Sequence, residues 1–191
     1  MTAAAVYTSK GVWKIRLELS TKGALIRIHK GNYMLILGVD PGTTTSGAAI
    51  YNTGMRRANW SDKAVDNQHL VEWLIGGGTG VQVIVLETLK PQGQILGTST
   101  FETIFWVGRF YQAALQAGEA GVVTCIPRPE VRRRLLGKAN APKADAAIRQ
   151  VLIDQIGPQG KKADPGPTYG VASHAWQALA LAYAHLHPEG I

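Results

Sequence analysis

The sequence predicts an α/β fold built on a five-stranded mixed sheet, three antiparallel strands followed by two parallel ones, flanked by helices. Three observations carry this. The apolar run Met34-Leu35-Ile36-Leu37-Gly38-Val39 has strand length, ends on Asp40 and is stopped by Pro41-Gly42. A second run, Ala48-Ala49-Ile50-Tyr51, follows at hairpin distance. A third, Val81 to Leu86, again ends on an acid, Glu87, and the segments after it alternate between helical and strand periodicity.

After the first hairpin, Arg56 to Trp60 supplies a third antiparallel strand, and Ser61 is expected to cap a helix reaching Ile75, ended by Gly76-Gly77-Gly78. Ser99-x-x-Glu102 has capping-box spacing, and behind it Phe101, Ile104, Phe105, Gly108, Tyr111 and Leu115 recur at helical intervals up to Gly118, as a core face or a dimer face. Gly121 to Ile126 reads as the fifth strand. A basic segment from Arg128 to Lys138 follows, then a helix opened by Pro142 and stopped by Gly157. Lys161 to Gly170 is a loop. The last helix, Val171 to about His185, sets His174, Gln177, Ala178 and Leu181 on one face.

The 191 residues, 46% hydrophobic, suit one domain with a sizeable core. Cys125 is the only cysteine, which excludes a disulfide framework and a cysteine zinc site and fits a reducing compartment. Neither a membrane-span-length apolar run nor a signal-peptide core is seen, so the expectation is a cytoplasmic protein with no membrane partner. The net charge of +7 is uneven: residues 1–33 carry +5 and the remainder only +2. Those first residues read either as a basic hairpin that grips DNA or as leader or vector-derived sequence, with the domain proper spanning 34–187. Within the body, Arg128, Arg132, Arg133, Arg134 and Lys138 form a cluster interrupted only by Glu130, either a solvated helix face or a phosphate contact.

If the first and fourth strands lie side by side, as in a ribonuclease H-like sheet, Asp40 and Glu87 become neighbours and a residue of the last helix, His174, can close the group. A buried carboxylate needs a cation or donors. A turn rich in backbone N–H groups beside it suits either a divalent cation or bound phosphate.

ILGVDPGTTTSGAAIY, VIVLE and SHAWQALALAYAH, in this order, resemble the RuvC family of Holliday junction resolvases, especially its phage-type members, over about Met34 to His187. The segments WVGRF and DAAIRQ add to the likeness. The resemblance implies a ribonuclease H-like fold and an endodeoxyribonuclease of DNA recombination and repair. It would act as a homodimer on four-way junctions, cutting two strands symmetrically in a bacterial cytoplasm, with the gene carried by the host or a phage. It implies Mg²⁺, two ions, with Mn²⁺ as an alternative, held by Asp40, Glu87 and His174. Where better-known members have an acid on the terminal helix, Gln177 stands here. Three readings follow: His174 suffices, Asp145 or Asp164 compensates, or the enzyme is weak. Asp145 also suits the first turn of its helix through the dipole alone. Arg132 and Lys143 fall where the family has functional lysines, Arg133 stands beside the first, and Lys90 replaces a stacking Phe. All four are therefore candidate DNA contacts.

Two rival readings remain. Asp40-x-Gly42-Thr43-Thr44 also resembles the phosphate loop of the sugar kinase, actin and heat-shock chaperone superfamily, which needs two such lobes. The other is a catalytically inactive module that holds branched DNA without cutting, a reading motivated by Gln177.

Overall fold

The computed structural model describes residues 33–76, 80–90, 97–117, 121–139 and 144–191, together with the backbone of three strands nearer the N-terminus. Those three, β1 (Ala5–Tyr7), β2 (Trp13–Leu17) and β3 (Ala24–Ile28), form an antiparallel sheet of their own, with Trp13 opposite Ile28.

The main sheet contains β4 (Leu35–Asp40), β5 (Thr45–Asn52), β6 (Arg57–Asp66), β7 (Val83–Thr88) and β8 (Val122–Pro127), in the order β6-β5-β4-β7-β8. The β4/β5 and β5/β6 pairs are antiparallel; β4/β7 and β7/β8 are parallel. This is the mixed ribonuclease H-like sheet that the strand order predicts.

Side chains alternate across a sheet, and the alternation sorts the helices. Leu35, Leu37 and Val39 face a core shared with Leu70 and Leu74 of α1 (Asn67–Ile75) and Phe110 of α2 (Thr98–Ala117). Ile36, Val83 and Val85 face the opposite core. There they meet Leu135 of α3 (Arg128–Leu136), Ile148 and Leu152 of α4 (Ala144–Ile156), and the run Ala178–Ala184 of α5 (Ala175–His185). The same parity puts Gly38 under α5, where an added Cβ would lie 1.8 Å from the Ala178 carbonyl oxygen. Glycine at 38 is therefore what lets the helix backbone rest on the strand.

Several boundaries differ from the sequence reading. Ser61 lies inside β6 and caps nothing: β6 runs on against β5 as far as the Thr45–Asp66 pair, and Asp66 takes the capping role, its side chain accepting from the His69 N–H at 3.0 Å. Sheet pairing has overridden a local cap signal. Helix α2 begins at Thr98, so Ser99 sits within the first turn instead of ahead of it. Of the predicted α2 stripe, Phe101, Ile104, Phe105, Tyr111 and Leu115 are exposed, and it is Phe110, Ala113 and Ala114 that enter the core. Helix α5 starts at Ala175; residues before it turn through Gly170 and Ser173, both at positive φ. The loop after α4 contains a small hairpin, β9 (Gly160–Lys161) with β10 (Asp164–Pro165). Pro142 and Gly118 lie outside the described residues.

Candidate active site

The parallel register of β4 and β7 pairs Val39 with Leu86, so the next residues, Asp40 and Glu87, stand side by side at the strand ends. Parity places both on the face that α5 covers. Asp40 lies opposite Gly47 across the β4/β5 ladder, and a Cβ at Gly47 would come within 2.6 Å of the His174 Cβ. The missing side chain leaves the room through which His174 reaches Asp40, its Nδ1 3.0 Å from Asp40 Oδ2.

A fourth residue joins them. Register pairs Thr88 with Pro127 at the end of β8, which sets Arg128, the first residue of α3, directly beyond Glu87. Arg128 Nε donates to Glu87 Oε1 at 2.9 Å, and a terminal nitrogen of the same guanidinium lies 3.4 Å from Asp40 Oδ1. Burial raises the Glu87 carboxyl to about 7; Arg128 opposes that rise, while the Asp40 charge adds to it. Burial acts against the charge of Arg128, yet Glu87 and Asp40 outweigh it and hold the guanidinium above its ordinary range. The carboxylate pair is thus organised around a cation supplied by the protein.

The turn after Asp40 is fixed from behind. Buried Ser46 donates to Asn67 Oδ1 at 2.6 Å and accepts from the Gly42 N–H at 3.4 Å. Asn67, fully buried at the start of α1, donates from its side-chain amide to the Gly42 carbonyl and from its backbone to the Thr44 carbonyl, both at 3.0 Å. These buried polar groups thereby find partners, as burial requires.

The remaining candidate residues divide by location. Asp40, Glu87, Lys90, Arg128, Arg132 and His174 line one cleft of about 630 Å³. Arg132 has a buried Nε without a hydrogen-bond partner among the described residues, and its terminal nitrogen is 4.0 Å from Asp145. Gln177 and Asp145 line an adjoining pocket, also about 630 Å³, which shares Arg128 and His174 with the cleft. In that pocket Arg149 stacks over Trp176 at 5.0 Å. Arg133 is not brought to either: it is held by Glu130 at 2.8 and 2.9 Å and by the Pro188 carbonyl at 2.9 Å. Lys143 lies outside the described residues.

Among the described residues no three His, Cys, Asp or Glu side chains are grouped so as to hold a metal ion. The donor types are nonetheless those a divalent cation takes, the carboxylates of Asp40 and Glu87 and the imidazole of His174, and in this structure the Arg128 guanidinium contacts both carboxylates. The sequence presents Arg128 only as one member of a basic run, and it does not single out Asn67. The available signal for Arg128 is its position immediately after the strand that pairs with the Glu87 strand.

No family model matches the chain, and no curated protein does either. Solved structures do. A Thermus thermophilus RuvC structure superposes with a TM-score of 0.59 at 18% identity, covering 81% of this chain and 94% of that one. A structure of T. thermophilus RuvC in complex with Holliday junction substrate matches at 0.57 and 19% identity, over 81% and 93%. The chain has the RuvC fold. At this identity the likeness is one of architecture. No described helix is long and apolar enough to cross a membrane.

Proposed function

We propose that the protein is a metal-dependent, structure-specific endodeoxyribonuclease that resolves four-way DNA junctions by paired, symmetric phosphodiester hydrolysis. The observation that carries this is the convergence of Asp40, Glu87 and His174 at the ends of two adjacent parallel strands and the helix above them. The RuvC neighbour bound to a Holliday junction supports the choice of branched DNA as the substrate class.

In this reading Asp40, Glu87 and His174 hold Mg²⁺, with Mn²⁺ as an alternative. The bound ions supply activation of the attacking water and stabilisation of the leaving 3′ oxygen. His174, exposed on its outer edge, holds or moves a proton at Nδ1 beside Asp40. Lys90 and Arg132 on the cleft walls neutralise phosphates, joined by Lys143 and, through rearrangement of its present pairs, Arg133. Gln177 and Asp145, which line the adjoining pocket, are the additional candidates, Asp145 as an acid that compensates for the amide at 177. Two symmetric cuts require two sites, and the exposed apolar stripe of α2 supports a homodimer. Residues 1–33 act as a basic extension to domain 34–187, and the setting is a bacterial cytoplasm, with a phage or prophage gene as one source.

A second reading is favoured by a specific observation: an amide, Gln177, where an acid would add charge, together with Arg128 already seated between the carboxylates. It is an inactive relative that holds junctions without cutting. The deciding experiment incubates the full chain with a labelled four-way junction and a matched linear duplex in Mg²⁺, Mn²⁺ or EDTA, beside Asp40→Asn. Metal-dependent paired nicks confined to the junction and lost in the variant are expected. Junction binding without incision in either metal selects the inactive module.

A further inference from the structure

We infer that Arg128 is a displaceable internal counter-cation, which holds Asp40 and Glu87 together in the metal-free protein and must leave them when a divalent ion binds. The inference rests on the metal-site reading above and adds a competitor to it.

Like charges on neighbouring strands, with side chains only 7% and 11% exposed, repel and are poorly solvated. One guanidinium fork answers both, at 2.9 and 3.4 Å. The backbone that carries it is fixed. Arg128 opens α3 behind the extended Pro127, with Pro129 following, so departure is a side-chain movement. The longer of the two contacts, to Asp40, is the weaker tie. A destination also exists. The Arg128 side chain is one-third exposed and lines the adjoining pocket as well as the cleft, and in that pocket Asp145 adds to the field that stabilises its charge. Rotation away from Glu87 therefore exchanges one carboxylate neighbour for another, with water available to the rest of the fork.

Arg132 is the control that separates displacement from general electrostatics. It lines the same cleft but forms no bond to Asp40 or Glu87; its ion pair is to Asp145. The test is Mn²⁺ binding to the full chain, followed by electron paramagnetic resonance of free Mn²⁺, for wild type, Arg128→Met, Arg128→Lys, Arg132→Met and Asp40→Asn. Thermal melting is run on the same samples in EDTA and in Mn²⁺. Arg128→Met is expected to bind Mn²⁺ about ten-fold more tightly than wild type. It should melt lower in EDTA and gain more from Mn²⁺. Arg128→Lys, which cannot span both carboxylates, should fall between the two and keeps the test open if the methionine variant does not fold. Equal or weaker Mn²⁺ affinity in the Arg128 variants overturns the inference, as does an equal gain from Arg132→Met. Loss of binding in Asp40→Asn with no effect at Arg128 sinks only the counter-cation. Binding that is unchanged in Asp40→Asn sinks the metal site itself.

Discussion

Replacing Glu87 by Gln converts the buried carboxylate into a pH signal. The group's ordinary value is 4.5, and burial beside Asp40 lifts it to about 7 even with Arg128 bonded to it. Between those values the folded chain retains a proton that the unfolded chain has released. The native state therefore binds more protons, and stability falls as pH rises. Glu87 costs the metal-free fold nothing below pH 4.5, and its full penalty is present above about 7. At about 1.4 kcal/mol for each pH decade, the interval amounts to about 3 kcal/mol. For a domain of this size that corresponds to about 6–12 °C in Tm. Glutamine still accepts from Arg128 but does not ionise, so the penalty for charging Glu87 disappears. Urea melts in EDTA should show the stability of Glu87→Gln relative to wild type improving by about 3 kcal/mol from about pH 4 to about pH 8. Mg²⁺ at the higher pH should then stabilise wild type more than the variant, because only wild type offers the charge. A difference between the two proteins that stays constant across the range would refute the assignment of a desolvated carboxylate to Glu87.

Three further outcomes follow from the packing around the site. Asn67→Ala removes the buried amide that ties Gly42 and Ser46, which should cost about 2–3 kcal/mol in urea melts and reduce junction incision more than junction binding. Equal losses in the two assays would count against a positioning role. Gly38→Ala forces a Cβ to 1.8 Å from the Ala178 carbonyl, so α5 must lift from β4 and carry His174 away from Asp40. A loss of about 3 kcal/mol or more is expected, whereas Gly108→Ala, where a Cβ meets nothing within 4 Å, should gain up to about 1 kcal/mol from helix propensity. If the proposed homodimer forms through the α2 stripe, Phe105→Glu, at a position 74% exposed there, should sediment as a monomer where wild type sediments as a dimer, without lowering Tm. An unchanged sedimentation coefficient would remove α2 from the dimer face.

The features legible in the sequence have a common physical form. A strand-length apolar run that ends on an acid places that acid at a strand end by local information alone, and so the positions of Asp40 and Glu87 are readable from the chain itself. Their pairing follows from the strand order. Local signals fail where a partner distant in sequence decides the outcome: Ser61 has the chemistry of a cap, but β5 offers it a ladder, and Asp66 becomes the cap once that ladder ends. Helical periodicity in α2 identifies an apolar stripe correctly as a stripe, yet two apolar faces lie on that helix. Only the contacts of Phe110, Ala113 and Ala114 with the sheet determine which is inward.

Arg128 is the extreme case of the same problem. Within the run from Arg128 to Lys138 the charges are interchangeable by composition, and the helix then gives them opposite destinations. Arg133 and Arg134 close on Glu130 at the spacings of one turn, while Arg128, at the first helical position, is the guanidinium that returns to the sheet. That return depends on β8 lying beside β7 in a register that ends both strands together, Thr88 against Pro127. A strand slip of one residue would turn Glu87 to the other face of the sheet and leave Arg128 without its carboxylate. Acids at strand ends thus specify where the chemistry can occur, while sheet register specifies which cation balances them.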